Sequence, residues 1–136
     1  MKKNILFICK HNVFRSRVAA SYFKKINKNP NLKGVSAGLI KGSRLNKEQV
    51  KAAKKFKLNI RGVPRSLTEK ILNASDRIII VADDVPKKIF SKESDYYNRV
   101  IIWKIKDQKI KGEKHSIAVI KEIIKKVENL NNKWSK

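Results

Sequence analysis

The sequence predicts a single three-layer α/β domain, a four-stranded parallel sheet with helices on both faces. Three observations carry that expectation. Short apolar, β-branched runs alternate with segments of helical period along the chain. Strand–helix alternation is the pattern of a parallel sheet joined by crossover helices. With 136 residues, 41% hydrophobic and 7% aromatic, the chain can build one core but not two, so residues 1–136 are read as one unit. No internal repeat, low-complexity stretch or linker interrupts the order.

Ile5 to Ile8 reads as the first buried strand. Residues 14 to 27 change to helical period and put Val18, Ala19, Tyr22, Phe23 and Ile26 on one face. Lys33 to Ala37 makes a weaker second strand, closed by Gly38. Asn46 is placed to cap a helix reaching Phe56, with Val50 and Ala53 inward and Lys51, Lys54 and Lys55 toward water. Ser66-Leu67-Thr68-Glu69 has the form of a capping box and opens a short helix to Leu72. Arg77 to Ala82, with Ile78, Ile79, Ile80 and Val81, is the clearest buried strand. A short helix is expected after Pro86, and Val100 to Ile105 is the fourth strand. His115 to Asn131 holds Ile117, Ile120, Ile124 and Val127 in register, and the residues from Asn132 onward are expected to fray. Sheets of this class bind ligands at the carboxyl ends of their strands, where the chain reverses direction across the sheet.

Charge narrows the ligand class. Lysine and arginine total 34 against 11 aspartates and glutamates, a formal net charge of +23. The excess is spread along the whole chain, so it favours anions in general: phosphoesters, nucleic acid, acidic membrane surfaces. Most lysines fall on the outer faces of expected helices, where a solvated basic surface is the plainer explanation. The lone cysteine, Cys9, excludes a disulfide framework and a cysteine-rich zinc site, and it suits a reducing cytoplasm. The two histidines, His11 and His115, are far apart, so neither a metal site nor a cofactor is indicated. The apolar run at the start ends at Cys9, too short for a signal peptide, and no run reaches membrane-spanning length.

The segment that carries chemistry is Cys9-Lys10-His11-Asn12-Val13-Phe14-Arg15-Ser16, between the first strand and the first helix. A strand-to-helix turn can aim successive backbone N–H groups inward as a nest for a tetrahedral anion. The helix N-terminus adds partial positive charge, which favours the thiolate of a cysteine at the start of the nest. Arginine at the far end can grip two oxygens of the same anion in a fork. The Ser16 hydroxyl can hydrogen-bond the sulfur and make it a better leaving group. Together these residues suit attack by sulfur on phosphorus or arsenic. Taken singly, each has a plainer reading: a buried small hydrophobe for Cys9, a solvated side chain for Arg15, a loop imidazole for His11. Their joint placement favours the chemical one.

These residues resemble a known family. Ile5-Leu6-Phe7-Ile8-Cys9-Lys10-His11-Asn12-Val13-Phe14-Arg15-Ser16 looks like the phosphate loop of the low-molecular-weight protein tyrosine phosphatases and their thioredoxin-linked arsenate reductase relatives. Val35-Ser36-Ala37-Gly38, Arg65-Ser66-Leu67, Ala74 to Val81 and Ile102 to Asp107 look like further segments of the same family, so the resemblance spans nearly the whole chain. It implies the four-stranded parallel fold. It also implies Cys9 as nucleophile, Arg15 as the anion grip, residues Lys10 to Ser16 as the phosphate cradle, and Ser36 as a brace for Asn12. Asp107 matches the general acid, which a poor alkoxide or phenoxide leaving group requires. Asp83 and Asp84 match a position usually treated as structural.

The chain departs from the family in several places. Gln108 follows Asp107 where the family has proline, Phe14 replaces a second loop cysteine, and Val13 stands where phosphoarginine-specific members have threonine. The aromatic walls that hold a phenyl ring are missing from Gln108-Lys109-Ile110 and Leu39-Ile40-Lys41-Gly42. Tyr96 and Tyr97, before the fourth strand, are the nearby aromatics that remain as candidates. His11 and Trp103 look more like the arsenate reductase branch, yet the relay cysteines of the thioredoxin-linked enzymes are lacking.

The expectation is therefore a phosphomonoester hydrolase acting through a phosphocysteine. Its substrate is a phosphorylated molecule or small oxyanion, and its basic surface is open to non-specific association with polyanions. An arsenate reductase using Cys9 and an external thiol is the alternative. A phosphoryl carrier is disfavoured by Arg15, which would speed hydrolysis of its own phosphocysteine. A nucleic-acid-binding module lacks any recognisable motif.

Overall fold

The computed structural model describes residues 3–40, 42, 46–60, 62, 64–85, 97–106 and 112–134. In chain order the elements are β1 (Lys3–Cys9), α1 (Arg15–Ile26), β2 (Leu32–Gly38), α2 (Lys47–Lys55), α3 (Glu69–Asn73), β3 (Arg77–Val81), β4 (Val100–Trp103) and α4 (Glu113–Trp134). A 3₁₀ turn, Tyr97–Arg99, leads into β4. The four strands run parallel in the order β2-β1-β3-β4. β1 is therefore central, with its first crossover going to one side and the next to the other. The reversal falls at the carboxyl end of β1, where Cys9 stands.

Alternation along the strands builds two cores, one on each face of the sheet. Ile5, Phe7, Ile79, Val81 and Trp103 face α1, α2 and α4, meeting Val18, Phe23, Ala53, Ile120, Ile123 and Val127. Leu6, Ile8, Ile78, Ile80 and Val100 face the other way, onto Leu72 of α3. Each fully buried Ile, Leu or Phe contributes about 1.5–3 kcal/mol of transfer free energy, so these strands are the main source of stability. β1 and β3 are buried on both faces, which is why they read as unbroken apolar runs.

Several boundaries differ from the sequence expectation. Asn46 caps α2 as expected, its Oδ1 accepting from the N–H groups of Glu48 and Gln49. The next cap is Thr68 rather than Ser66: Thr68 Oγ1 accepts from the Ile71 N–H at 3.2 Å. Ser66 is instead drawn into a bridge with Gly38, because Arg65 and Leu67 hydrogen-bond that glycine through their backbones. β4 stops at Trp103, since beyond it the chain turns and the Ile105 N–H bonds back to the Trp103 carbonyl. α4 starts before His115 and extends past Asn132 to Trp134. The helix expected after Pro86 lies outside the described residues.

Candidate active site

α1 starts six residues after Cys9, and its N-terminus carries no side-chain cap. Phe14 occupies the cap position and its side chain offers no hydrogen bond, whereas α2 and α3 are capped by Asn46 and Thr68. An uncapped helix start leaves backbone donors for a ligand. No acidic residue lies in the first turn of α1, while Arg15 and Arg17 do. Cations there oppose the helix dipole, so this turn is built around something other than helix stability.

The loop that enters α1 is held from outside. Leu39 N–H donates to the Cys9 carbonyl at 3.0 Å, Ile40 N–H to Lys10 at 2.8 Å, and Gly42 N–H to His11 at 3.0 Å. Arg17 Nε donates to the next carbonyl, that of Asn12, at 2.6 Å. In a trans peptide the N–H lies opposite the carbonyl. Holding four successive carbonyls outward thus turns the amides of Lys10, His11, Asn12 and Val13 to the concave side, as a nest for an anion. Asn12 turns the corner at φ 55°, a left-handed conformation that asparagine tolerates better than most residues.

The Asn12 side chain ties the loop together. Its Nδ2 donates to Ser16 Oγ at 2.8 Å, and its Oδ1 accepts from the Arg65 N–H at 2.8 Å. Ser16 Oγ in turn lies 3.1 Å from Cys9 Sγ, with Cys9, Asn12 and Ser16 all buried. With its oxygen already accepting from Asn12, the Ser16 hydroxyl is oriented to donate to an ionised sulfur. Among the described residues Ser36, expected as a brace, is not a hydrogen-bond partner of Asn12. It pairs with Phe7 inside the ladder, short of the strand end, and the Arg65 backbone holds Asn12 in its place.

Arg15 is 5% exposed and anchored on the far side of the nest. Its Nη1 donates to the Ile105 carbonyl at 2.9 Å, and its Nη2 reaches both oxygens of Asp84, at 2.9 and 3.2 Å. Asp83 adds a longer ion pair of 3.7 Å. The two aspartates therefore orient the guanidinium, and the Ile105 contact brings the chain just before Asp107 to the same place. Asp107 itself, like Tyr96, lies outside the described residues. Lys10 and Val13 are half-buried, the His11 side chain is exposed at the rim, and Phe14 is buried in the core. His115 sits exposed on α4.

Sequence reasoning missed Arg17, Arg65 and the two small residues facing the loop. Arg17 bridges the Asn12 and Ile60 carbonyls, and burial, then the Arg65 charge, lower its pKa, while the Cys9 charge opposes them. A cation in an uncapped first turn was the available signal. A Cβ on Gly38 would lie 2.6 Å from both the Asn12 nitrogen and the His11 carbonyl carbon, and one on Gly42 would lie 2.5 Å from Val13 Cγ2. Gly38→Ala is expected to displace the loop and cost about 1–3 kcal/mol, as overpacking does. Denaturant midpoints and phosphate affinity should fall together; an unchanged phosphate affinity would show that the loop tolerates the added carbon.

The architecture recurs in solved structures. A YwlE mutant from Bacillus subtilis shares 19% identity at a TM-score of 0.86, over 99% of this chain and 100% of that one. The tyrosine phosphatase Wzb from Escherichia coli K30, in complex with sulphate, shares 17% at 0.83, over 98% and 99%. Arsenate reductase from Archaeoglobus fulgidus shares 26% at 0.78, over 94% and 98%. A sequence comparison with curated proteins finds no match. The sequence profile of the low molecular weight phosphotyrosine protein phosphatases matches residues 4–136. A match along almost the entire chain, on a parallel sheet whose central strand ends at Cys9, leads to one conclusion: the chain belongs to the low molecular weight phosphotyrosine protein phosphatase family.

Proposed function

We propose that the protein hydrolyses phosphate monoesters through a phosphocysteine formed on Cys9. The observation that carries this reading is Cys9 Sγ set 3.1 Å from Ser16 Oγ at the uncapped start of α1, with the buried Arg15 beside Ser16 oriented by Ile105 and Asp84. In the first step Cys9 Sγ attacks phosphorus and the P–O ester bond breaks. The backbone amides of Lys10 to Ser16 and the Arg15 guanidinium hold the non-bridging oxygens, and Asp107 protonates the leaving oxygen. In the second step the Asp107 carboxylate takes a proton from water, the resulting hydroxide attacks phosphorus, and the P–S bond breaks. Ser16 then stabilises the departing thiolate. Every step uses side chains and amides of the chain itself. A buried single thiol that must stay reduced supports a cytoplasmic setting.

The likeness to the Archaeoglobus arsenate reductase favours a second reading. There Cys9 Sγ would bond arsenic as an As–O bond breaks and water leaves, and an external thiol would attack the Cys9 sulfur, breaking the S–As bond. Arsenite would leave with two electrons, a mixed disulfide would remain on Cys9, and a second thiol would restore the cysteine. The test is hydrolysis of para-nitrophenyl phosphate without thiol, run beside arsenate reduction with thiol donors. Ester turnover without thiol is expected. Undetectable ester turnover beside robust thiol-dependent arsenate reduction would replace the first reading with the second.

Arg15→Lys tests the anion grip. An ammonium cannot reproduce the two-pronged fork, and it leaves the Ile105 carbonyl and Asp84 poorly matched. The expected loss in kcat is about 10²–10³, the usual worth of one preorganised donor. A lysine variant with wild-type kcat would remove Arg15 from the reaction.

A further inference from the structure

Behind the phosphate loop a second concavity opens between α1, the edge strand β2 and the chain that follows α2, with a volume of about 680 Å³. Its cations are Arg17, Lys24, Lys25, Lys33, Lys57 and Arg65, drawn from four separate stretches of the chain. Among the described residues no carboxylate lines it. Elsewhere basic side chains find acids, as Lys51 and Lys55 do at Glu113. In the cleft the contacts found are to backbone carbonyls, Lys25 to Phe56 and Arg17 to Ile60. Like charges gathered along a concave surface focus potential on whatever anion enters, and all of these cations but Arg17 are exposed.

The lining also says which anion. Six cations line a volume of about 680 Å³, more room than one phosphate fills, which suits several linked phosphates better than one. Among the described residues no aromatic ring lines it, so these offer no platform for stacking bases. Its apolar side chains are Ala20, Val35 and Ile60, none of them a deep anchor for a peptide side chain. Its size falls within the range of small-ligand sites. We propose that this cleft binds a condensed-phosphate chain, free or as the tail of a nucleotide, at a place apart from Cys9. Arg17 and Arg65 belong to both places, since they also hold Asn12.

The test is calorimetric titration of tripolyphosphate into the protein with the Cys9 loop filled by saturating inorganic phosphate. A binding event is expected to remain. The Lys24→Gln/Lys33→Gln double variant should weaken it about tenfold, equivalent to about 1.4 kcal/mol. A control pair on the exposed side of α4, Lys121→Gln/Lys125→Gln, should leave it unchanged at physiological salt, where charges beyond about 8 Å are screened. ATP should match tripolyphosphate, because the base finds no partner. No remaining binding event, or equal weakening by both pairs, would overturn the site. Tighter binding of oligothymidylate, lost in the Lys24/Lys33 variant, would overturn the ligand class in favour of nucleic acid.

Discussion

Cys9→Ser is expected to abolish turnover, by about 10⁴-fold or more, while the loop still binds inorganic phosphate. The reason lies in what each atom holds. The loop is shaped by Asn12, Arg17, Gly38 and the amides of Leu39, Ile40 and Gly42, none of which bonds the Cys9 sulfur. Removing sulfur therefore leaves the nest standing. The replacement hydroxyl faces the Ser16 hydroxyl, which can hydrogen-bond it but cannot take its proton as a base. It is a weak nucleophile in that setting. Steady-state assays with an aryl phosphate, paired with phosphate titration by calorimetry, read the two properties separately. Retained turnover would end the covalent mechanism, and lost phosphate binding would show that sulfur shapes the nest after all.

The second large effect belongs to Asp107. Asp107→Asn is expected to lower kcat by roughly 10²–10⁴ for esters with poor leaving groups, the usual worth of a general acid. The loss should shrink for aryl esters of acidic phenols, whose leaving oxygen needs little help. The Ile105 carbonyl, a short distance back along the chain, bonds both Arg15 and the Asp83 N–H, which ties the approach to Asp107 to the anion grip. A leaving-group series on wild type and variant measures this directly. If Asp107→Asn hydrolyses poor leaving groups as fast as wild type, the acid is elsewhere. Asp83 and Asp84 would then be tested next, although both sit against Arg15 and Asp84 is bound to it through both oxygens.

The sheet and the Cys9 loop were legible in the sequence because each is a local pattern. Ile5 to Ile8 and Ile78 to Val81 had to be buried on both faces, and only the middle of a parallel sheet does that. Cys9, Asn12, Arg15 and Ser16 lie within one turn of chain, so their spacing already stated their geometry. Boundaries were less legible where a distant backbone competed. Ser66-Leu67-Thr68-Glu69 reads as a capping box, but Gly38 claims the backbone on either side of Ser66, and the cap moves to Thr68.

By itself the sequence determined the fold class, the buried first strand and the strand–loop–helix turn at Cys9, since hydrophobic period and a contiguous motif need no long-range information. Only the tertiary structure decided what holds that turn in shape. Asn12 is braced by the backbone of Arg65, 53 residues away, and Arg15 by Asp84 and Ile105, 69 and 90 residues away. Ser36, near in motif, makes no hydrogen bond to Asn12 among the described residues, and strand pairing sets it opposite Phe7. The basic cleft likewise exists only once α1, β2 and the chain after α2 meet. A charge count records how many lysines there are, but which of them converge depends on where the strands and helices bring their ends.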